Sequence, residues 1–217
     1  MKNLLGIVVS YLFIALIIIS AKFFEKKGEE SSRKYIHIML SNWWVLAMNF
    51  FTNWIWASIV PISFIIINWL SYKKGLISVM EREEQDGPGT VYYAVTLFIL
   101  VIITFGIIKK PEIGLISALI MGYGDGFAAI IGKLVKSTEY KVGNATKTCA
   151  GSATMLFVSF VIISVFLAKL GVEAWYFKSI ILSAIITIIE AVSKKGTDNL
   201  SVPLATCGML TILLNGI

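Results

Sequence analysis

Charge is scarce in this chain: 15% of its 217 residues are Asp, Glu, Lys or Arg, against 57% hydrophobic residues and a mean hydropathy of +0.83. That balance excludes a soluble domain, and its even spread excludes one anchor on a globular body. Cysteine occurs twice, at Cys149 and Cys207. Both fall on the half assigned below to the cytoplasm, where reducing conditions argue against a disulfide. No Walker-type GxxxxGK[ST] is present, so no P-loop holds phosphates. A low-complexity tail, an internal repeat and a soluble domain are all lacking. Residues 1–217 therefore read as one integral membrane domain that works through its helices and short loops. The net charge of +6 requires no nucleic acid, because basic residues flanking membrane spans suit anionic lipid headgroups.

What the chain does have is length of apolar sequence. Eight segments, at 4–21, 36–52, 54–71, 90–108, 113–132, 150–168, 174–192 and 200–216, each approach the ~20 residues that cross ~30 Å of hydrocarbon. The second and last are marginal, so the expected fold is an all-α polytopic bundle of seven to eight spans. The first segment has no small-residue cleavage site before the charged stretch that follows, and is read as a helix and not as a signal peptide. Basic residues collect in cytoplasmic loops. With the amino terminus outside, loops 22–35, 72–89, 133–149 and 193–199 are cytoplasmic, and only Lys2, Lys109, Lys110, Lys169 and Lys178 fall at outer ends.

The fifth segment carries Met121-Gly122-Tyr123-Gly124-Asp125-Gly126, a carboxylate among glycines at membrane depth. An ionisable group survives there only when paired, hydrated or bound to an ion. Glycine backbone can leave the helix around a protein-lined cavity, so this span is expected to be broken. Asp125 precedes Lys133 by eight residues, which on a continuous helix recesses it ~12 Å from the loop.

The three aspartates, Asp86, Asp125 and Asp198, and the one histidine, His37, all fall on or near the cytoplasmic face. In Arg33-Lys34-Tyr35-Ile36-His37, helical spacing puts Arg33 and His37 on one face. That pair reads either as a positive-inside anchor or as a phosphate clamp beside a proton acceptor. The run Glu81–Glu84 reads as a solvated face, Gly87-Pro88-Gly89 as a turn and Thr90 as a helix N-cap. Lys147-Thr148 and Gly151-Ser152 offer an ammonium, hydroxyls and helix-terminal amides to a phosphate. Glu190, four residues before Lys194, reads as its ion-pair partner, and Asp198 or Asn199 as a cap. Taken with Asp125, the same carboxylates read as a Mg²⁺ site.

Five stretches stand in order: Arg33–His37, Gly89–Tyr93, Gly124–Lys133, Lys147–Ser152, and Glu190 with Thr197–Leu204. This ordered set resembles the membrane-embedded, CTP-using lipid-alcohol kinases typified by dolichol kinase and phytol kinase, relatives of the phosphatidate cytidylyltransferases. The resemblance implies transfer of the γ-phosphoryl group of CTP, or another nucleoside triphosphate, to the hydroxyl of an isoprenoid or polyprenol-type alcohol, with Mg²⁺. On it, Asp125, Glu190 and Asp198 are assigned to the metal, and Asp125, His37 and Lys147 to catalysis. Nucleotide and phosphate contacts are assigned to Arg33, Lys34, Lys133, Lys147, Thr148, Ser152 and Asn199, and to the backbone of Gly122, Gly124, Gly126, Gly132 and Gly151. Phosphoryl transfer needs such metal ligands, cationic clamps and a group that orients the hydroxyl.

Three alternatives use part of the same residue set. A cytidylyltransferase would attack the α-phosphate with a lipid phosphate. A CDP-alcohol phosphotransferase needs Asp-Gly-x-x-Ala-Arg and further aspartates, but no arginine follows Asp125-Gly126 and no aspartate follows in Gly132–Lys136. A small ion-coupled transporter would use Asp125 as its ion site.

Overall fold

The computed structural model describes residues 1–25, 29–74, 89–143, 145–194 and 196–215. Asn144, the run Glu81–Glu84, Asp86 and the Gly87-Pro88 turn lie outside the described residues. Ten α-helices and one small hairpin make up the described fold. Among the described residues, six helical runs are long and apolar enough to cross a membrane, one or two fewer than the sequence suggests.

The difference lies in the second and last segments. The second is divided into α2 (Glu29–Ser41) and α3 (Trp43–Phe50) at Asn42, whose side-chain amide donates back to the carbonyls of Ile38 and Met39, both at 3.2 Å. An Asn that bonds its own preceding turn competes with the helix ladder. The last, α10 (Asp198–Asn215), opens on Asp198-Asn199 and carries Ser201, Pro203 and Thr206, residue types that lower its hydropathy. The remaining spans are α1 (Lys2–Glu25), α4 (Trp54–Lys74), α5 (Gly89–Val101) with a π-helical end over Ile102–Ile107, α8 (Cys149–Lys169) and α9 (Trp175–Val192), besides the central run below. Asn53 caps α4, its Oδ1 accepting from the Ile55 and Trp56 amides at 3.1 and 3.2 Å.

The central run is α6 (Pro111–Leu119), a π-helical stretch over Ile120–Gly124, and α7 (Asp125–Leu134). Its most apolar window is 67% buried, against 22–44% in the other five, so the Asp-bearing helix is the axis of the bundle. The expected break does not occur. The backbone widens to π geometry and stays helical, which re-aims the residues that follow without unwinding the chain. The glycines serve close packing instead: a Cβ on Gly122 would lie 2.5 Å from Ser41 Oγ and 3.1 Å from the His37 carbonyl, and one on Gly124 would lie 2.6 Å from Met155 Sδ. They let α2 and α8 reach the axis.

Consecutive helices pack as neighbours, α1 with α2, α4 with α5, α7 with α8 and α8 with α9, while α10 lies against α5, α6 and α9. Trp43 and Trp44 anchor the interior, with Trp43 Nε1 donating to Ser10 Oγ and Trp44 Nε1 to the Pro111 carbonyl, both at 2.9 Å. Leu12, Leu16, Phe157, Val165 and Ile188 face outward. An apolar exterior of this kind is stable in lipid and not in water.

One element was not foreseen. In the loop after α7, β1 (Glu139–Val142) pairs antiparallel with β2 (Ala145–Thr148), turning at Gly143 with φ +58°.

Replacing Gly122 by Ala should push α2 off the π segment, with a loss of about 1–3 kcal/mol of stability. Thermal unfolding in detergent checks it.

Candidate functional site

The π segment and the start of α7 face α2, and there the buried Lys34 ammonium meets Asp125 Oδ2 at 2.6 Å. His37 lies one turn along α2 from Arg33. Its Nε2 sits 3.1 Å from the Met121 carbonyl and 3.5 Å from Asp125 Oδ2. A carbonyl only accepts, so Nε2 carries the proton and Nδ1 is the basic nitrogen of the neutral ring. Tyr93 of α5 fixes this imidazole, packing edge-on with centroids 4.6 Å apart and donating its hydroxyl to the His37 carbonyl at 3.2 Å.

The second acid comes from the last turn of α9. Glu190 pairs with Lys147 of β2, Nζ to Oε1 at 2.5 Å, and the same ammonium also donates to the Glu190 carbonyl. The i,i+4 pairing with Lys194 is thus replaced by one across 43 residues. The hairpin explains it, since its register seats Lys147 opposite Tyr140 and holds the ammonium over the end of α9.

The third acid, Asp198, opens α10, where Oδ1 accepts from the Asn199 amide at 3.0 Å. Asp125, Glu190 and Asp198, from three separate elements, each present a carboxylate oxygen within 4.8 Å of the others. Three carboxylates so close repel one another unless cations intervene. Oxygen-only donors in this number are the set that a hard divalent cation takes.

These acids line an open cavity of about 980 Å³ together with Arg33, Lys133, Lys147, Thr148, Gly151 and Ser152. Not every residue expected at a phosphate faces it. Gly122, Gly124 and Gly126 pack against Ser41, Met155 and Ile38, and Gly132 packs against Thr148. Asn199 lies outside this cavity, donating through Nδ2 to the Gly89 carbonyl at 2.8 Å while its own carbonyl accepts from Thr96 Oγ1 at 2.7 Å. It binds the start of α10 to α5. The first amides of α8 are also engaged, Cys149 with the Thr138 carbonyl at 2.9 Å, Ala150 with Ser137 Oγ at 3.1 Å and Gly151 with Thr148 Oγ1 at 3.0 Å. What this cavity offers an anion is therefore chiefly side-chain cations.

A second cavity of about 490 Å³ adjoins the first at Arg33, and is lined by Lys34, His37, Asn68, Thr90, Tyr93 and Asn199 among others. Asn68 and Tyr93 were missed as site residues from sequence. Asn68 had a signal, an amide within Ile65-Ile66-Ile67-Asn68-Trp69-Leu70. A polar group in such a run needs a reason to be there.

The phytol kinase of Synechocystis is 30% identical to this chain over 188 residues, covering 82% of this chain and 76% of that protein. The probable chloroplastic phytol kinase of Triticum aestivum is 27% identical over 208 residues, covering 85% and 67%. The chloroplastic phytol kinase 1 of Arabidopsis thaliana is 30% identical over 197 residues, covering 81% and 64%. No protein-family profile matches the chain, and no solved structure does.

Lys147→Met should strand the buried Glu190 carboxylate and remove about 3–5 kcal/mol of stability. Adding Glu190→Met should restore most of it, as seen by comparing thermal unfolding of the three proteins in detergent.

Proposed function

The chain belongs to the phytol kinase family of lipid-alcohol kinases, and from that premise we propose that it moves the γ-phosphoryl group of CTP to the hydroxyl of an isoprenoid alcohol with the help of Mg²⁺. The observation that carries the metal-dependent part is the convergence of Asp125, Glu190 and Asp198 in one cavity with Arg33, Lys133 and Lys147. A bound Mg²⁺ would supply charge neutralisation and a template for the phosphate oxygens. Asp125, Glu190 and Asp198 would hold it. Lys34 and Lys147 now neutralise two of these acids. With a divalent ion taking over that charge, both ammonium groups could turn to phosphate oxygens.

The acceptor oxygen then attacks the γ-phosphorus. One P–O bond forms, the bond to the bridging oxygen of the leaving diphosphate breaks, and the hydroxyl proton passes to the protein. His37 borders the cavity on the alcohol side, and its Nδ1 is the candidate proton acceptor, with Asp125 steadying the imidazolium that results. Arg33, which lines both cavities, would bridge donor and acceptor. The gathering of Arg33, Lys133 and Lys147 at this end of the bundle supports a cytoplasmic site with the amino terminus outside.

Purified protein given γ-labelled CTP, ATP or GTP and a panel of prenyl alcohols should transfer label to an alcohol, most readily from CTP. EDTA should stop the transfer and Mg²⁺ restore it. Asp125→Asn keeps an oxygen for Lys34 to donate to but removes its counter-charge, and should lower turnover roughly a hundredfold or more in the fraction that purifies folded. Undiminished turnover in that variant would remove Asp125 from the metal site.

A further inference from the structure

Asn68 is buried at 5% exposure, and its two polar atoms are treated unequally. Nδ2 donates to the Thr90 carbonyl at 3.0 Å, whereas Oδ1 has no partner among the described residues. A buried carbonyl oxygen without a donor is costly, so its retention needs an explanation. Among the described residues, the three other buried side-chain atoms without partners, on Thr104, Ser159 and Ser164, belong to hydroxyls that border none of the described cavities.

Asn68 sits where two cavities meet. The cavity beside His37 and a third, smaller one share Leu40, Asn68 and Tyr93. Otherwise the third is walled by apolar groups, among them Ile14, Trp43, Pro61, Phe64, Ala94 and Leu97. The three cavities thus grade from the cationic chamber through a mixed one to an apolar one, with Arg33 at the first junction and Asn68 at the second. Along α4 the apolar part runs from Asn68 to Pro61, seven residues or about 10 Å of helix.

We propose that the apolar chamber seats the first part of the acceptor's isoprenoid tail and that Asn68 Oδ1 accepts the hydrogen bond of its hydroxyl, an inference that rests on the kinase reading above. The chemistry is selective. A carbonyl oxygen only accepts, so it welcomes an O–H and repels an anionic lipid phosphate. Asn68 would hold the hydroxyl within the cavity that His37 borders, one wall away from the phosphates. Ala94, which borders the chamber with no more than a methyl group, leaves room for the tail.

The test compares wild type, Asn68→Leu and Ala94→Phe in labelled-nucleotide assays with a five-carbon and a twenty-carbon prenol. Asn68→Leu should lower kcat/KM for the alcohol about tenfold and leave the KM for nucleotide unchanged. Ala94→Phe should lower the ratio of twenty-carbon to five-carbon turnover at least tenfold. A wild-type chain that phosphorylates no alcohol would overturn the kinase reading itself, whereas an active wild type with unaltered alcohol KM and chain-length ratio in both variants would overturn only this inference. Should either variant fail to fold, a prenol bearing a photoreactive diazirine on its tail decides the matter on wild type. Competable crosslinks to α4 and α5 peptides support the seat, and crosslinks confined elsewhere, or none that unlabelled prenol competes away, overturn it.

Discussion

The contact between Lys34 and Asp125 is the constraint from which most of the site follows. Both groups are buried, so neither can lose the other without leaving a bare charge in an apolar bundle. To meet, α2 must lie against the axial helix, and that requires Gly122 and Gly126 to present no side chain toward Ser41 and Ile38. Once α2 is seated, His37 can fall only beside Met121 and Asp125, and Tyr93 closes over it from α5. One ion pair and two missing methyl groups thereby fix the distance between a basic ring and an acid drawn from 88 residues further along the chain.

The remaining acids are brought in by a different device. Glu190 and Asp198 flank the short connection between α9 and α10, and each depends on an anchor supplied from elsewhere. The hairpin carries Lys147 to Glu190, while Asn199 fastens the head of α10 to Gly89 and Thr96 of α5. The stretch Gly89–Tyr93 thus earns its place structurally: Gly89 accepts from Asn199, Thr90 accepts from Asn68 and Tyr93 holds His37.

Much of this was legible from residue types because lipid is an unforgiving solvent. Runs of apolar sequence give helices, and a carboxylate inside one must answer to something, so Asp125, Glu190 and Asp198 stood out in the chain. Periodicity could not say how a glycine is used. Gly122, Gly124 and Gly126 suggest loosened backbone when read in sequence, yet each touches a neighbouring helix. Nor could local spacing show that Glu190 prefers Lys147 to Lys194, because that choice rests on a hairpin whose strands are only four residues each. The second segment falls short of a single spanning helix because Asn42, bonding to its own turn, divides it.

The engaged amides at the head of α8 carry a consequence for how this fold handles anions. With the rigid donors of that helix already satisfied by Thr138, Ser137 and Thr148, an incoming polyanion is met by the ammonium and guanidinium groups that line the cavity. Such a grip measures quantity of charge more than molecular outline, and it weakens as ionic strength rises.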